Sequence, residues 1–449
     1  MPVVDSPKYK YQELASSRLG TVAFSIIILV LVVSVLYPDT FLPDFLKIGS
    51  FRILPLSVLL PFLALSTSVY IFCNRSQLSF GLLDAVFLSF LAFTLMRNVF
   101  SPNGAAEFKY SVYALGLFYS VSLLIRRTSR LRLMIWVFIG LILVTTVYGF
   151  IEYSLQENIL YQSFVSVTEP MQGIHRLSST LVQPVSYGAF LIQILPFGIL
   201  AWITGKGFWH KFPGVMALLL GVPALFLTYS KGSWITGIII FFAGFPLIKM
   251  KKVSIIPGIV LAAMVILLSA IFWQSVLSET AYRAESSVAM RLGSWSAAWH
   301  GFLDHPVFGV GLRQGTMELE RQSPEIKVYN EQEKAPLAVD NYYLDLMMEE
   351  GAVSFLLWVT FLVLLCTEGI IGSGANRPGR LVVLTALASV VGLSLNALTF
   401  DAMLIWPNFI LFWAAAGILH GTCQKDKHCN LKPPCAGFVD NSEPRLYAL

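Results

Sequence analysis

An all-α, multi-pass integral membrane protein of about twelve transmembrane helices is the fold class this sequence predicts, on three observations. Hydrophobic residues make up 56% of the chain and charged residues only 13%, and mean hydropathy is +0.70, a balance that ordinary soluble domains do not approach. Apolar runs of roughly 20 residues, the length a helix needs to cross a hydrocarbon core of about 30 Å, recur along the whole chain. Basic residues gather in alternate connecting segments, as the positive-inside rule requires.

The predicted spans lie near 19–37, 53–73, 81–97, 108–125, 132–151, 184–203, 212–229, 232–248, 253–273, 351–371, 381–399 and 401–419. The first apolar run is followed by YPDTFLP, without a small-residue cleavage pattern, so it reads as a retained span. With the N-terminus inside, the cytoplasmic segments hold Lys8, Lys10, Arg18, Arg75, Arg126, Arg127, Arg130, Arg132, Lys206, Lys211, Lys249, Lys251, Lys252, Arg377, Arg380 and four tail cations. That is 19 of the 31 basic residues, although the outer loops are longer in total. Both termini are therefore expected in the cytoplasm, and the net charge of +5 follows from topology without a nucleic-acid partner.

Residues 1–449 read as a single polytopic domain, with a large outer loop at 274–350 carrying short helices, and 420–449 as a disordered cytoplasmic tail. The tail contains His420, Cys423, His428, Cys429 and Cys435, but no CxxC pair, and free thiols are the expectation in a reduced compartment. No metal-ligand set, nucleophile elbow or Gly-rich nucleotide loop appears, so no metal and no cofactor are expected.

Chemistry concentrates in the outer loops. In the stretch RLGSWSAAWHGFLDHPVFGVGLRQ, Val288, Leu292, Trp295, Trp299 and Phe302 recur at steps of four and three, one stripe of a helix. Arg291 lies about 60° from the centre of that stripe, where it reads either as a snorkelling cation or as a ligand for an anion. Gly309 and Gly311 suggest a turn whose N–H groups could face an anion, with Arg313 just beyond. Between the seventh and eighth spans, LTYSKGSWITG puts Lys231 at an outer turn, a costly place for a charge unless it is solvated or used. Arg176 precedes a Gln183-Pro184 break at the entrance of the sixth span and reads as a headgroup contact or a ligand. Asp340-Asn341 opens NYYLDLMMEE, where Asp340 reads equally as a helix N-cap or as a general base. Glu349 and Glu350 read as a solvated helix shoulder.

RLGSW, then DHPVFGVGLRQ, then a short motif ahead of a Leu-rich helix with EEG resemble the O-antigen ligase and polymerase family of bacterial polysaccharide assembly, over roughly 229–351. The resemblance implies an enzyme of the bacterial inner membrane, a metal-independent glycosyltransferase-type ligase or polymerase. Its partners would be membrane lipids, a glycan linked to polyprenyl diphosphate, and a glycan or lipid-linked acceptor. Lys231 resembles the family's diphosphate-binding cation, usually an arginine, and Arg291 its second. Arg313, Asn341 and Arg176 are further substrate-binding candidates, and Asp340 stands where ligases of the family usually carry a histidine proposed as the base. That exchange shifts the expectation towards exopolysaccharide polymerisation or ligation as much as transfer of O-antigen to a lipid core. A transporter or channel is the alternative, resting on Pro- and Gly-broken spans and on Asn396, Asp401 and Asn408, and a non-catalytic scaffold is a third reading.

Overall fold

The computed structural model describes residues 7–36, 46–48, 51–53, 55–74, 80–99, 104–160, 175–244, 290–312, 314–323, 338–374 and 379–431. Their elements are α1 (Pro7–Leu36), β1 (Leu46–Ile48), β2 (Phe51–Ile53), α2 (Pro55–Cys73), α3 (Leu82–Val99), α4 (Gly104–Leu124), α5 (Thr128–Leu155), a 3-10 turn (Ser179–Leu181), α6 (Pro184–Thr204), α7 (Phe208–Leu227) and α8 (Lys231–Gly244). A helix over 290–304, α9, is followed by α10 (Gly315–Gln322), α11 (Tyr342–Gly372), α12 (Arg380–Asn396) and α13 (Trp406–Leu431).

This is a helical membrane protein. Helices stand at eleven of the twelve predicted positions, and the ninth, 253–273, lies outside the described residues. Among the described residues, five helices are long and apolar enough to cross a membrane: Arg18–Leu36, Thr128–Leu155, Pro184–Thr204, Phe208–Leu227 and Tyr342–Gly372. Prolines inside α2, α6 and α7 are accommodated, as bundle neighbours re-satisfy the freed backbone groups. At the predicted Gln183-Pro184 break, Gln183 is extended and Pro184 takes the first turn of α6, where its missing N–H costs nothing.

A short hairpin stands between α1 and α2, with Leu46 opposite Ile53, in the interval that the predicted spans leave open between 37 and 53. Two expectations need correction. Helix α5 runs past the predicted span end at 151 to Leu155, so Glu152 sits on a helix and is fully buried rather than in an outer loop. Helix α13 continues through His420 to Leu431, so 420–431 is helical, and 432–449 lies outside the described residues.

His420 is buried within the bundle. Its Nδ1 lies 2.7 Å from Glu368 of α11 and its Nε2 3.7 Å from Asp84 of α3. Asp84 in turn accepts from the Tyr119 hydroxyl of α4 at 2.8 Å. Four helices are thereby tied at one end by polar side chains, whose alternative in hydrocarbon is to go unpaired. Gly417 and Gly421 let α13 lie directly on α4, since a Cβ at either would overlap the backbone of Phe118 or Ser122. Above this level Phe87, Phe361 and Trp413 pack with ring centroids 4.9 to 5.6 Å apart, each such pair adding about 0.5 to 1.5 kcal/mol beyond burial. The cluster fixes α11, whose other end carries the site.

Candidate functional site

Helix α11 is two helices in one. Gly351 breaks it with φ 80° and ψ −178°, and the break leaves carbonyls of the preceding turn without their helical partners. The segment after α9 fills this gap. Val310 N–H donates to the Met348 carbonyl at 2.9 Å, Gly311 N–H to that of Glu349 at 3.0 Å, and Ala352 N–H to that of Pro306 at 2.8 Å. Gly309, at φ 65°, comes so close that a Cβ would collide with the Glu349 carbonyl, and a Cβ on Gly351 would collide with that of Val307. Arg97, from the last turn of α3, closes the joint by donating to the Gly309 carbonyl at 2.7 Å.

The suggested anion-binding turn is therefore corrected. The N–H groups of Gly309, Val310 and Gly311 are all spent on carbonyls of the chain itself, and the glycines are there for close approach. Glu350 is no solvated shoulder either. It is buried, and its Oε2 accepts from Thr94 at 2.9 Å and from Ser354 at 2.8 Å.

Helix α9 lies beside this joint. Its buried face is Ser294, Ala297, Ala298 and Gly301, packed towards Leu319, Glu318 and Met348, while Leu292 and Trp299 of the expected stripe face outward. Small residues let α9 sit close to α10 and α11, a face that a hydrophobic-stripe reading passes over. Arg321 of α10 holds Asp304 at 2.5 Å and Glu318 at 2.6 Å, and these hydrogen bonds keep both carboxyls below their ordinary values.

Packing of α9 brings Arg291 Nε to 3.5 Å from Asp340 Oδ2, both side chains a little over one-third exposed. Asp340 is not the helix cap. Asn341 is: its side-chain oxygen accepts from the N–H groups of Tyr343 at 3.1 Å and Leu344 at 3.3 Å. Asp340, one residue earlier, adopts the left-handed backbone at φ 52°, a conformation in which Asp, Asn and His are enriched among non-glycine residues. Its carboxyl is left for Arg291. Burial pushes the Asp340 pKa up, and Arg291 pulls it partly back.

A carboxylate remote in sequence, one of the polar residues that also suit a transporter, completes the cluster. Asp401, in the turn between α12 and α13, receives the backbone N–H groups of Asp340 and Asn341, while its Oδ1 is buried without a hydrogen-bond partner. Burial first and the neighbouring Asp340 second raise it to about 7. The same turn is anchored by the Tyr342 N–H, which donates to the Ala397 carbonyl at 2.9 Å. Because the folded state favours protonated Asp401, its contribution to stability is full below the ordinary value of 3.8 and is lost as pH rises to about 7. Asp401→Asn should cancel that loss. Melting temperatures in detergent should show the variant gaining on the parent between pH 4 and pH 8; a constant difference would contradict a raised Asp401.

Lys231 and Arg176 belong to the start of α8 and the segment bonded to it, and α8 touches the same turn. Lys231 is exposed at the first position of α8, and Gly232 next to it abuts the Thr399 side chain. The Asn396 amide donates to Ser233 of α8 at 3.1 Å. Arg176 Nε donates to the Thr228 carbonyl at 3.0 Å, just before α8, and Leu177 N–H to that of Leu227 at 2.9 Å. The Arg176 segment is held by Glu152, which accepts from Ser178 N–H, Ser178 hydroxyl and Ser179 N–H at 3.2, 2.7 and 2.6 Å and faces His175 at 3.1 Å. Arg291, Asp340 and Asn341 are thus brought together, Lys231 and Arg176 form a second group, and the 396–401 turn links the two. Arg313 lies outside the described residues. Among the described residues no group of three or more His, Cys, Asp or Glu side chains could hold a metal ion.

Residues 215–359 match the family model described as O-antigen ligase. The matched stretch contains Lys231, Arg291, Asp340 and Asn341, and it bears out the family resemblance seen in the sequence. It supports a function of the O-antigen ligase type, in glycan assembly. No curated protein matches the chain.

Proposed function

We propose that this protein transfers a glycan from a polyprenyl-diphosphate carrier to an acceptor hydroxyl, at the outer face of the bacterial inner membrane and with both termini in the cytoplasm. The observation that carries the reading is the Arg291–Asp340 pair at 3.5 Å, a cation and a carboxylate side by side within the family-matched stretch. In the reaction the acceptor oxygen attacks the anomeric carbon, the bond from that carbon to the diphosphate oxygen breaks, and the diphosphate leaves with the electron pair. Asp340 takes the acceptor proton. Its raised pKa makes it a better base than an ordinary carboxylate. Arg291 and Lys231 neutralise the leaving diphosphate, with Arg176 at the rim; Arg313 is assigned to the same anion. Asn341 fixes the helix that presents the base, and Asp401 positions it through the backbone of Asp340 and Asn341. The twelve-span topology and periplasmic 274–350 loop supply the outer-face setting.

The polar residues behind the transporter alternative are engaged elsewhere in the fold. Asn396 is bonded to Ser233 and Asn408 to Gln193 and the Ser186 carbonyl, so both tie helices together, and Asp401 belongs to the cluster around Asp340.

Two measurements test the reading. Arg291→Ala or Lys231→Ala should abolish product and leave the lipid-linked glycan to accumulate in a protein that remains inserted and abundant. A hydrogen bond to a charged group is worth about 1.5 to 3 kcal/mol, so each loss is roughly ten- to a hundredfold even before the transition-state charge is counted. Lys231→Arg should be tolerated. Normal polymer in Arg291→Ala would reduce that arginine to a surface partner of Asp340. For topology, a reporter active only in the cytoplasm should respond when fused near Arg130, Lys251 or Arg377 and stay silent near Glu157 or Gln322; signal at Gln322 would move the cluster to the wrong side.

A further inference from the structure

We propose that α9 is an interfacial helix, lying in the surface of the bilayer leaflet at which α3 ends, with one apolar face in lipid. Leu292, Trp299 and Leu303 fall within about 40° of one another around this helix and are 58%, 44% and 53% exposed. Just past its end Val307 and Phe308 are 49% and 51% exposed. Polar His300 and Asp304 border the stripe on one side, and the small-residue face opposite is already covered by α10 and α11. This is the pattern of a helix that lies on a membrane.

The occupant is lipid because of where the chain pins this segment. Ala352, whose N–H donates to the Pro306 carbonyl, follows Glu349-Glu350-Gly351 at the start of the apolar stretch of α11, a helix long and apolar enough to cross a membrane. Phe308 stacks on Phe93 of α3 at 5.9 Å and 9°, and Met96, one turn on, is itself 55% exposed. The exposed residues of α9 therefore continue the outward apolar surface of α3 and sit at the level where the membrane-crossing part of α11 begins. Tryptophan is enriched at that depth. Resting on the transfer reading above, the consequence is that Arg291, on the flank of the stripe, meets the donor's diphosphate at headgroup level, so the isoprenoid tail never leaves the bilayer.

The test measures depth and does not involve catalysis. The full-length protein, with its native cysteines replaced, is labelled with a nitroxide at single cysteines placed at 292, 299, 303 or 300. It is then reconstituted into vesicles of phosphatidylethanolamine and phosphatidylglycerol. Collision with oxygen should exceed collision with a water-soluble nickel chelate several-fold at 292, 299 and 303, and the order should reverse at 300. Equal exposure of all four to the chelate would overturn the proposal. So would protection of the stripe from both reagents, which would mean a second protein surface covers it. Either failure leaves the transfer reading standing, and an inactive cation variant leaves this one standing.

Discussion

Asp340→Asn should lose two or more orders of magnitude in turnover with no loss of melting temperature. Asparagine is nearly the same size, accepts the left-handed backbone found at this position as readily as aspartate does, and cannot take a proton at neutral pH. General-base catalysis contributes typically 10²- to 10⁴-fold, so its removal has that size. The cap is untouched, because Asn341 supplies it. Asn341→Ala should show the opposite pattern, a loss of about 1 kcal/mol in stability from an uncapped helix. The pH profile adds an independent sign. A base must be ionised to act, so parent activity should rise with pH along a limb set by Asp340, which burial shifts upward from its ordinary value. That limb should be absent from whatever activity Asp340→Asn retains. Asp340→His should recover activity, since histidine also suits this backbone and can serve as a general base near neutral pH. A fully active Asp340→Asn protein would remove the carboxylate from the mechanism.

Gly351→Ala should disassemble the site and spare the bundle. A positive φ costs a residue with a Cβ about 1 to 2 kcal/mol, and forcing a methyl group into packed backbone adds about 1 to 3. Here the methyl would meet the Val307 carbonyl and the Gly309 N–H. Gly309→Ala meets the Glu349 carbonyl in the same way. Both variants should insert at normal levels, lose product, and expose 305–311 to proteolysis. Gly140→Ala in α5, with nothing within 4 Å of the new methyl, is the control and should be silent or slightly stabilising. Normal transfer by Gly351→Ala would mean that the docked loop does not hold Arg291 against Asp340.

What the sequence made legible were the features coded locally. Apolar run length marks a span wherever a helix must satisfy its own backbone in lipid, and Gln183-Pro184 marks its break because proline constrains the residue before it. The candidate cations at 231 and 291 stood out because topology left them unexplained. The cap was misread by one residue: Asp and Asn are both good caps, and only the path of the chain decides between neighbours. Asp401 was visible as a charge but not as a neighbour of Asp340, since 61 positions separate them. Glu350 looked solvated because its partner Thr94 is 256 positions away. The small-residue face of α9 was hidden for a different reason, as close approach is signalled by the absence of side chain.

The joint at Gly351 also sets a timetable for biogenesis. Arg97 leaves the ribosome 212 residues before the Gly309 carbonyl it will bind, and the glycine loop is itself translated some 40 residues ahead of the carbonyls that will receive its N–H groups. Until α11 is threaded and broken, Val310 and Gly311 have only water to bond. The helices up to α8 are therefore translated before the joint beside the candidate site can form, and the 396–401 turn follows later still. Variants that weaken the joint should pass the insertion machinery unnoticed and fail only when the joint must close.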